Sequence, residues 1–389
     1  MAEFGRSTCR SENVVQDHSG LSKQSTLTGE TIQQLAARVT SGDHAAFAKE
    51  HGAIVADSIH INGFTKHNIY AAAGMIKPKN RFENAPLFDG GAVQLQPTHK
   101  EYEETAFSGY INATRICKKK SASDYVLTQA PLPETFVDFF RMIWQLKTRI
   151  IVCITDKIYN QSADFTAYFD QRIKKKMKIG KRFLVKTMSE KREDSLVTFH
   201  LSLECRYGED KGKNRELIFV NIYNWQGDGY FAAQSLIKNL KFVDKLASKN
   251  EPPIVVHGAS GIRRIGCFVL AFMANREIRE KVRPAIFDDI VYMRKRRYGV
   301  VFQKSKLCLL LQAVIQMASS AKLLSEVPQS DIDKAMQVLD AMQQRIIKGR
   351  KIEVGGGAKR NGSTENRRGG QSVMSVLGGL SKRARVSKR

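Results

Sequence analysis

The stretch from Glu251 to Gly266 constrains this chain more than any other. A β-branched run, Ile254-Val255-Val256, breaks into a loop of small residues at Gly258, Ala259, Ser260 and Gly261, and an apolar, alanine-containing segment from Ile265 to Ala274 follows. The run reads as a strand and the segment as a buried helix. A strand, a small-residue loop and a helix N-terminus in succession make an anion cradle, because consecutive backbone N–H groups converge and the helix dipole adds positive potential. Arg264, at the helix start, adds a guanidinium fork suited to a phosphate. What the loop lacks is a nucleophile that uses the cradle, since no cysteine lies in it.

Composition bounds the rest. Of 389 residues, 42% are apolar, enough for a substantial core and against wholesale disorder. No stretch approaches the ~20 uninterrupted apolar residues of a membrane span, and the N-terminal residues show no apolar signal region. A soluble protein of the cytoplasm or nucleus is therefore expected. The six cysteines are scattered without a CxxC pair or a histidine at ligand spacing. Buried thiols in a reducing compartment are expected rather than disulfides or zinc, with no cofactor. Cys267, three residues past Arg264, is expected on the helix, facing away from the cradle.

The net charge of +25 is unevenly placed. From Lys348 to the end, 12 Lys or Arg face 2 Asp or Glu, which is +10. The block from Arg172 to Arg182 holds 7 basic residues and no acidic one. Such runs attract polyanions without reading sequence, and they are also what a solvated surface and a flexible tail look like.

Along the chain, residues 1–28 are polar and aperiodic and read as a disordered leader. Thr31 to Val39 and Ala45 to Val55 carry apolar residues at three- and four-residue spacing and read as two helices. Strands are expected over Arg149 to Thr155, Arg182 to Lys186, Leu196 to Leu203 and Leu217 to Tyr223. Helices are expected from near Glu134, over Ala233 to Leu246, and over Ser325 to Arg345 with a cap near Ser330. From 348 to 389 a flexible basic tail is expected, ending in Lys382 to Arg389, which has the look of a nuclear localisation signal.

His257-Gly-Ala-Ser-Gly-Ile-Arg-Arg-Ile-Gly266 resembles the signature loop of the protein tyrosine phosphatases, His-Cys, five residues, Arg, Ser or Thr, Gly. Scaffold segments carry the same resemblance: Tyr110-Ile-Asn-Ala113, the Thr128-Gln129-Ala130-Pro131-Leu132 block, and Lys79-Asn-Arg-Phe82, similar to the family's phosphotyrosine-recognition loop. It covers roughly Lys77 to Ile315. It implies one α/β domain over 29–347, a twisted mixed sheet flanked by helices, with the pocket at the end of the strand before Gly258. It also implies which roles are missing. The attacking cysteine falls on Gly258 and the hydroxyl after the arginine on Ile265. In the mobile loop Trp-Pro-Asp-x-Gly, Pro becomes Gln226 and the general acid becomes Gly227, with Asp228 one place late. The family's two glutamines near the end become Phe302 and Lys306, and a lysine cannot orient the hydrolytic water as an amide does. The ring-stacking Tyr is Phe82, read either as a stacking face or as a core aromatic, and the Asp that holds the substrate backbone is Asn84.

Three functions follow as expectations. The first is a pseudophosphatase, a non-catalytic module that holds a phosphotyrosine- or tyrosine-bearing protein segment through Phe82, the loop Gly258, Ala259, Ser260, Gly261 and Ile262, and Arg264, regulating signalling without dephosphorylation. If the turn needs φ > 0 at Arg263, that residue is strained and the loop remodelled. The second is a scaffold that binds nucleic acid or anionic surfaces through the 172–182 block and the tail. The third is an enzyme with chemistry moved to Cys267 or Asp228.

Overall fold

The computed structural model describes residues 77–355, apart from 83–84, 86, 89, 97–108, 119–122, 163–165, 248–251 and 281–283. The leader, the two N-terminal helices, Asn84 and the tail beyond 355 with its nuclear signal lie outside the described residues. By contacts between residues, the chain separates after Ile347.

One nine-stranded sheet organises the described residues: β1 (Ala92–Gln94), β2 (Tyr110–Lys118), β3 (Ser123–Gln129), β4 (Ile150–Ile154), β5 (Lys176–Ile179), β6 (Phe183–Glu193), β7 (Leu196–Cys205), β8 (Asn214–Ile222) and β9 (Ile254–Gly258). Their spatial order is β1-β2-β3-β9-β4-β8-β7-β6-β5. The centre is parallel, with β9 between β3 and β4 and with β8 beside β4, while both flanks are antiparallel. This is the expected mixed sheet flanked by helices. Every residue of β4 and β9 is buried, as strands covered on both faces require. On the flank, β6 alternates instead, burying Phe183, Val185 and Thr187.

Among the described residues, six α-helices accompany the sheet: α1 (Phe136–Gln145), α2 (Ala233–Leu246), α3 (Arg263–Arg279), α4 (Ile286–Arg294), α5 (Lys304–Ser320) and α6 (Gln329–Gly355). Alternation sorts the strands' side chains into two cores. Val152, Ile154, Ile254 and Val256 pack with residues of α2 to α6, whereas Ile151, Cys153 and Val255 pack with α1 through Phe139, Phe140 and Ile143. Helix α2 coincides with its expected span, whereas β6 runs on to Glu193, past the expected end at Lys186, and α6 runs on to Gly355, past the expected end at Arg345. Helix α1 is preceded by a 3-10 turn at Pro133–Thr135, so the helix proper starts two residues after Glu134. Ser330 lies inside α6 rather than at its cap, because the carbonyl of Pro328 takes the first amides, from Asp331 (3.0 Å) and Ile332 (3.2 Å).

Cys153, Cys205, Cys267 and Cys308 are buried thiols outside any disulfide, as expected. Cys117 in β2 is disulfide-bonded, which corrects the expectation of unpaired thiols throughout. No group of His, Cys, Asp or Glu among the described residues could hold a metal ion, and no described helix is long and apolar enough to cross a membrane.

Candidate functional site

The site is built at the C-terminal end of β9, the central parallel strand, where Gly258 leaves the sheet and four residues lead into α3. Gly261 carries the turn at φ +69°, and a Cβ there would lie 2.4 Å from the carbonyl carbon and oxygen of Thr128. Only glycine fits such a position. Arg263 begins α3 and does not appear among the residues of positive φ. The strain envisaged at Arg263 is therefore absent, because the left-handed residue of the turn is Gly261, two places earlier.

The loop's carbonyls are drawn outward. Ala130 donates its amide to the carbonyls of Gly258 (2.8 Å) and Ala259 (3.3 Å), and Gly266 donates to Ile262 (3.1 Å). The Gly261 carbonyl accepts from Arg297 Nε at 2.7 Å, and this guanidinium also donates to Asn112 Oδ1 (2.9 Å) and Thr114 Oγ1 (3.1 Å). The carbonyls of Gly258, Ala259, Gly261 and Ile262 are thus all committed to donors, as an anion nest formed by the loop's amides would require. Arg297 is buried among neutral acceptors, and burial lowers its pKa to about 10, so it remains a cation at neutral pH behind the nest. Arg294 holds the next segment by donating to the carbonyls of Val300 and Val301, both at 2.7 Å.

Within this frame, position 258 has no side chain, and what surrounds it is apolar or backbone. A Cβ there would meet the Ile154 carbonyl oxygen at 3.0 Å and Ile265 Cγ2 at 3.4 Å. His257 is fully buried, with Nε2 2.7 Å from the Tyr168 hydroxyl, and burial followed by the charge of Arg81 lowers its pKa to about 3. It stays neutral at any physiological pH. Cys267 is buried 3.5 Å from the Lys306 carbonyl, and burial pushes its thiol up to about 12, so it offers no thiolate to the site.

The segment after β8 folds down onto the cradle. Trp225 is fully buried, stacked on Phe231 with centroids 4.3 Å apart, and its carbonyl accepts from Arg264 Nη1 at 2.8 Å. Lys306, also fully buried, donates to the Gly229 carbonyl at 3.2 Å with its ammonium 5.5 Å from the Trp225 ring centroid. Asp228 accepts from Gln303 Nε2 and lies 3.5 Å from Arg263 Nη1. Two residues at altered positions, Arg263 and Lys306, thus strap the segment 225–229 against the starts of α3 and α5. Against partial burial, hydrogen bonds from Ser162 and the backbone, with the charge of Arg264, hold the Asp156 carboxyl below its usual range. A carboxylate beside Arg264 offsets part of the charge that an incoming anion would meet.

Phe82 reaches the site through its neighbour. Arg81 donates to the carbonyls of Ala130 (3.2 Å) and Pro131 (3.1 Å), and Ala130 is the residue bonded to Gly258. Phe82 is 38% exposed, which decides against the core-aromatic alternative. The structure thus ties Arg81, the residue before Phe82, to the loop through Ala130, while Arg264 sits on the first turn of α3 directly after the loop. Phe302 stands apart with 55% of its surface exposed, and its neighbour Gln303 makes the contact to Asp228. Sequence reasoning missed Arg297 and Gln303. The run Arg294-Lys-Arg-Arg297 looks like surface charge, and only its burial reveals the clamp.

The profile of the family described as protein-tyrosine phosphatase matches residues 76–316. The chain belongs to the protein-tyrosine phosphatase family. Among relatives, it is 28% identical over 308 residues to the tyrosine-protein phosphatase Lar of Drosophila melanogaster, covering 78% of this chain and 14% of that protein. It is 27% identical over 266 residues to a chicken receptor-type tyrosine-protein phosphatase S, covering 68% and 17%. It is 26% identical over 247 residues to the rat tyrosine-protein phosphatase non-receptor type 2, covering 63% and 57%. The chain thus spans less than a fifth of the two receptor-type and Lar phosphatases. Membership of that family accounts for the strand–loop–helix cradle.

Proposed function

We propose that this chain is a non-catalytic phosphatase domain that holds a phosphotyrosine- or tyrosine-bearing segment of another protein and so regulates signalling without dephosphorylating it. The observation that carries the reading is the contrast inside one loop. Gly261, with Arg297 behind it, keeps the amide nest in shape, while Gly258 offers no side chain and is backed by Ile154 and Ile265 rather than by a hydroxyl. Binding needs the nest, the Arg264 cation and an aromatic wall such as Phe82. Covalent catalysis needs a thiolate, an acid and an oriented water, and the positions for these hold Gly258, Gly227 and Lys306. Asp228 does not replace the acid in this reading, because its carboxylate is occupied by Gln303 and Arg263. The strapped 225–229 segment supports a pocket that is set before the ligand arrives, which lowers the ordering cost of binding.

The reading places the protein in the cytoplasm or nucleus. Four buried thiols outside any disulfide support a reducing compartment, and the Cys117 disulfide weighs against it. Isothermal titration with a phosphotyrosine peptide tests the pocket. The wild type is expected to bind, and Arg264→Ala to bind at least about tenfold more weakly, through loss of a charge-assisted fork. Absence of binding by both proteins would overturn the reading and leave a structural scaffold.

A further inference from the structure

We propose that the hairpin of β5 and β6 is a docking surface for a membrane rich in anionic lipids. Independently of the pocket, this edge of the sheet concentrates unneutralised charge. Lys174, Lys175, Lys176, Lys178, Lys181 and Lys186 sit on the two strands and their flanking turns, and none forms an ion pair with a described residue. Lys176 stands directly opposite Lys186 in the antiparallel register, on the solvent face that also carries Lys178. Like charges so paired cost stability. The nearby carboxylate Asp170 is taken by Arg172, and on the same face Glu193, at the far end of β6, is paired with Lys191, while Glu204 and Glu216 lie on β7 and β8.

Lysines on an edge strand also guard against edge-to-edge pairing, but that role does not account for the apolar side chains beside them. Ile173 is 52% exposed and Met188 48%. They are neighbours, since the amide of Lys174 donates to the Thr187 carbonyl at 2.7 Å. Met188 is the extra residue of a bulge in β6, between Thr187 paired to Leu201 and Ser189 paired to His200, and a bulge re-aims the side chain that it carries. Two exposed apolar side chains at one end of a lysine-lined hairpin match a bilayer interface, with the apolar pair entering the acyl boundary and the lysines meeting phosphate and carboxylate headgroups. Nucleic acid fits less well. Its bases would stack on aromatic rings, and this hairpin exposes none.

Co-sedimentation of the full chain with vesicles tests the proposal. Vesicles of phosphatidylcholine alone should leave the protein in solution, and vesicles containing phosphatidylserine should pellet it, less so as salt rises. Lys176→Gln with Lys178→Gln should weaken that binding about 30-fold, the loss of two interfacial lysines. Ile173→Ser with Met188→Ser leaves the charge intact and should weaken it several-fold, most visibly at high salt. Both variants alter exposed side chains, and unchanged melting temperatures establish that they fold. The proposal is overturned if neither vesicle binds, if both double variants bind like the parent, or if the lysine pair weakens binding to a single-stranded RNA while vesicles remain unbound.

Discussion

Lowering the pH from 7 to 5 should destabilise this domain through His257. In the folded chain the imidazole is sealed under the loop, and its pKa is depressed to about 3 from an ordinary value near 6.5. Between those values the unfolded chain binds a proton that the folded chain refuses, so stability is full above about pH 6.5 and declines as pH falls. At pH 5 the unfolded state gains RT ln(1 + 10^1.5), about 2 kcal/mol, against about 0.2 kcal/mol at pH 7. Burial raises the pKa of the Glu277 and Asp289 carboxyls around Lys118, which acts in the opposite direction. The difference between wild type and His257→Gln isolates the histidine, since glutamine keeps a polar group toward Tyr168 and does not titrate. Urea unfolding at both pH values should show the wild type losing about 2 kcal/mol more than the variant. An equal pH response in the two proteins would refute the assignment of a buried, neutral imidazole.

Two further substitutions probe the loop. Gly258→Cys should fold, because its Cβ asks the Ile154 carbonyl to yield only a few tenths of an ångström, yet hydrolysis of an aryl phosphate should stay at background: the acid, the hydroxyl and the amide are still missing, and acid–base groups alone contribute about 10²–10⁴-fold. Gly261→Ala should cost at least about 2 kcal/mol in urea unfolding and abolish phosphopeptide binding, since it forces a side chain to φ +69° and against the Thr128 backbone.

The fold was legible where one period of apolar residues settles an element. The run Ile150 to Ile154 has no polar residue and becomes a central strand, and Ala233 to Leu246 repeats apolar residues at helical spacing and becomes α2. The loop was legible because its small residues and Arg264 are contiguous. What holds the loop was not, because those partners arrive from far along the chain. Arg297 reaches Gly261 across 36 positions, and Lys306 reaches Gly229 across 77. Nothing local distinguishes Arg297 or Lys306 from surface cations, and a buried cation is made tolerable only by acceptors that tertiary packing delivers. The supposed strain at Arg263 failed for a related reason. Which residue of a turn takes positive φ depends on the space beside it, and the Thr128 backbone assigns that place to Gly261.

The central claim is that recognition survives where chemistry is lost, and phosphorus NMR of a phosphotyrosine peptide mixed with the protein reads both at once. The account predicts a phosphomonoester resonance broadened or shifted by stoichiometric protein, reversed by Arg264→Ala, with no inorganic phosphate after overnight incubation. A growing inorganic phosphate signal, or a peptide resonance that the protein leaves untouched, would contradict it.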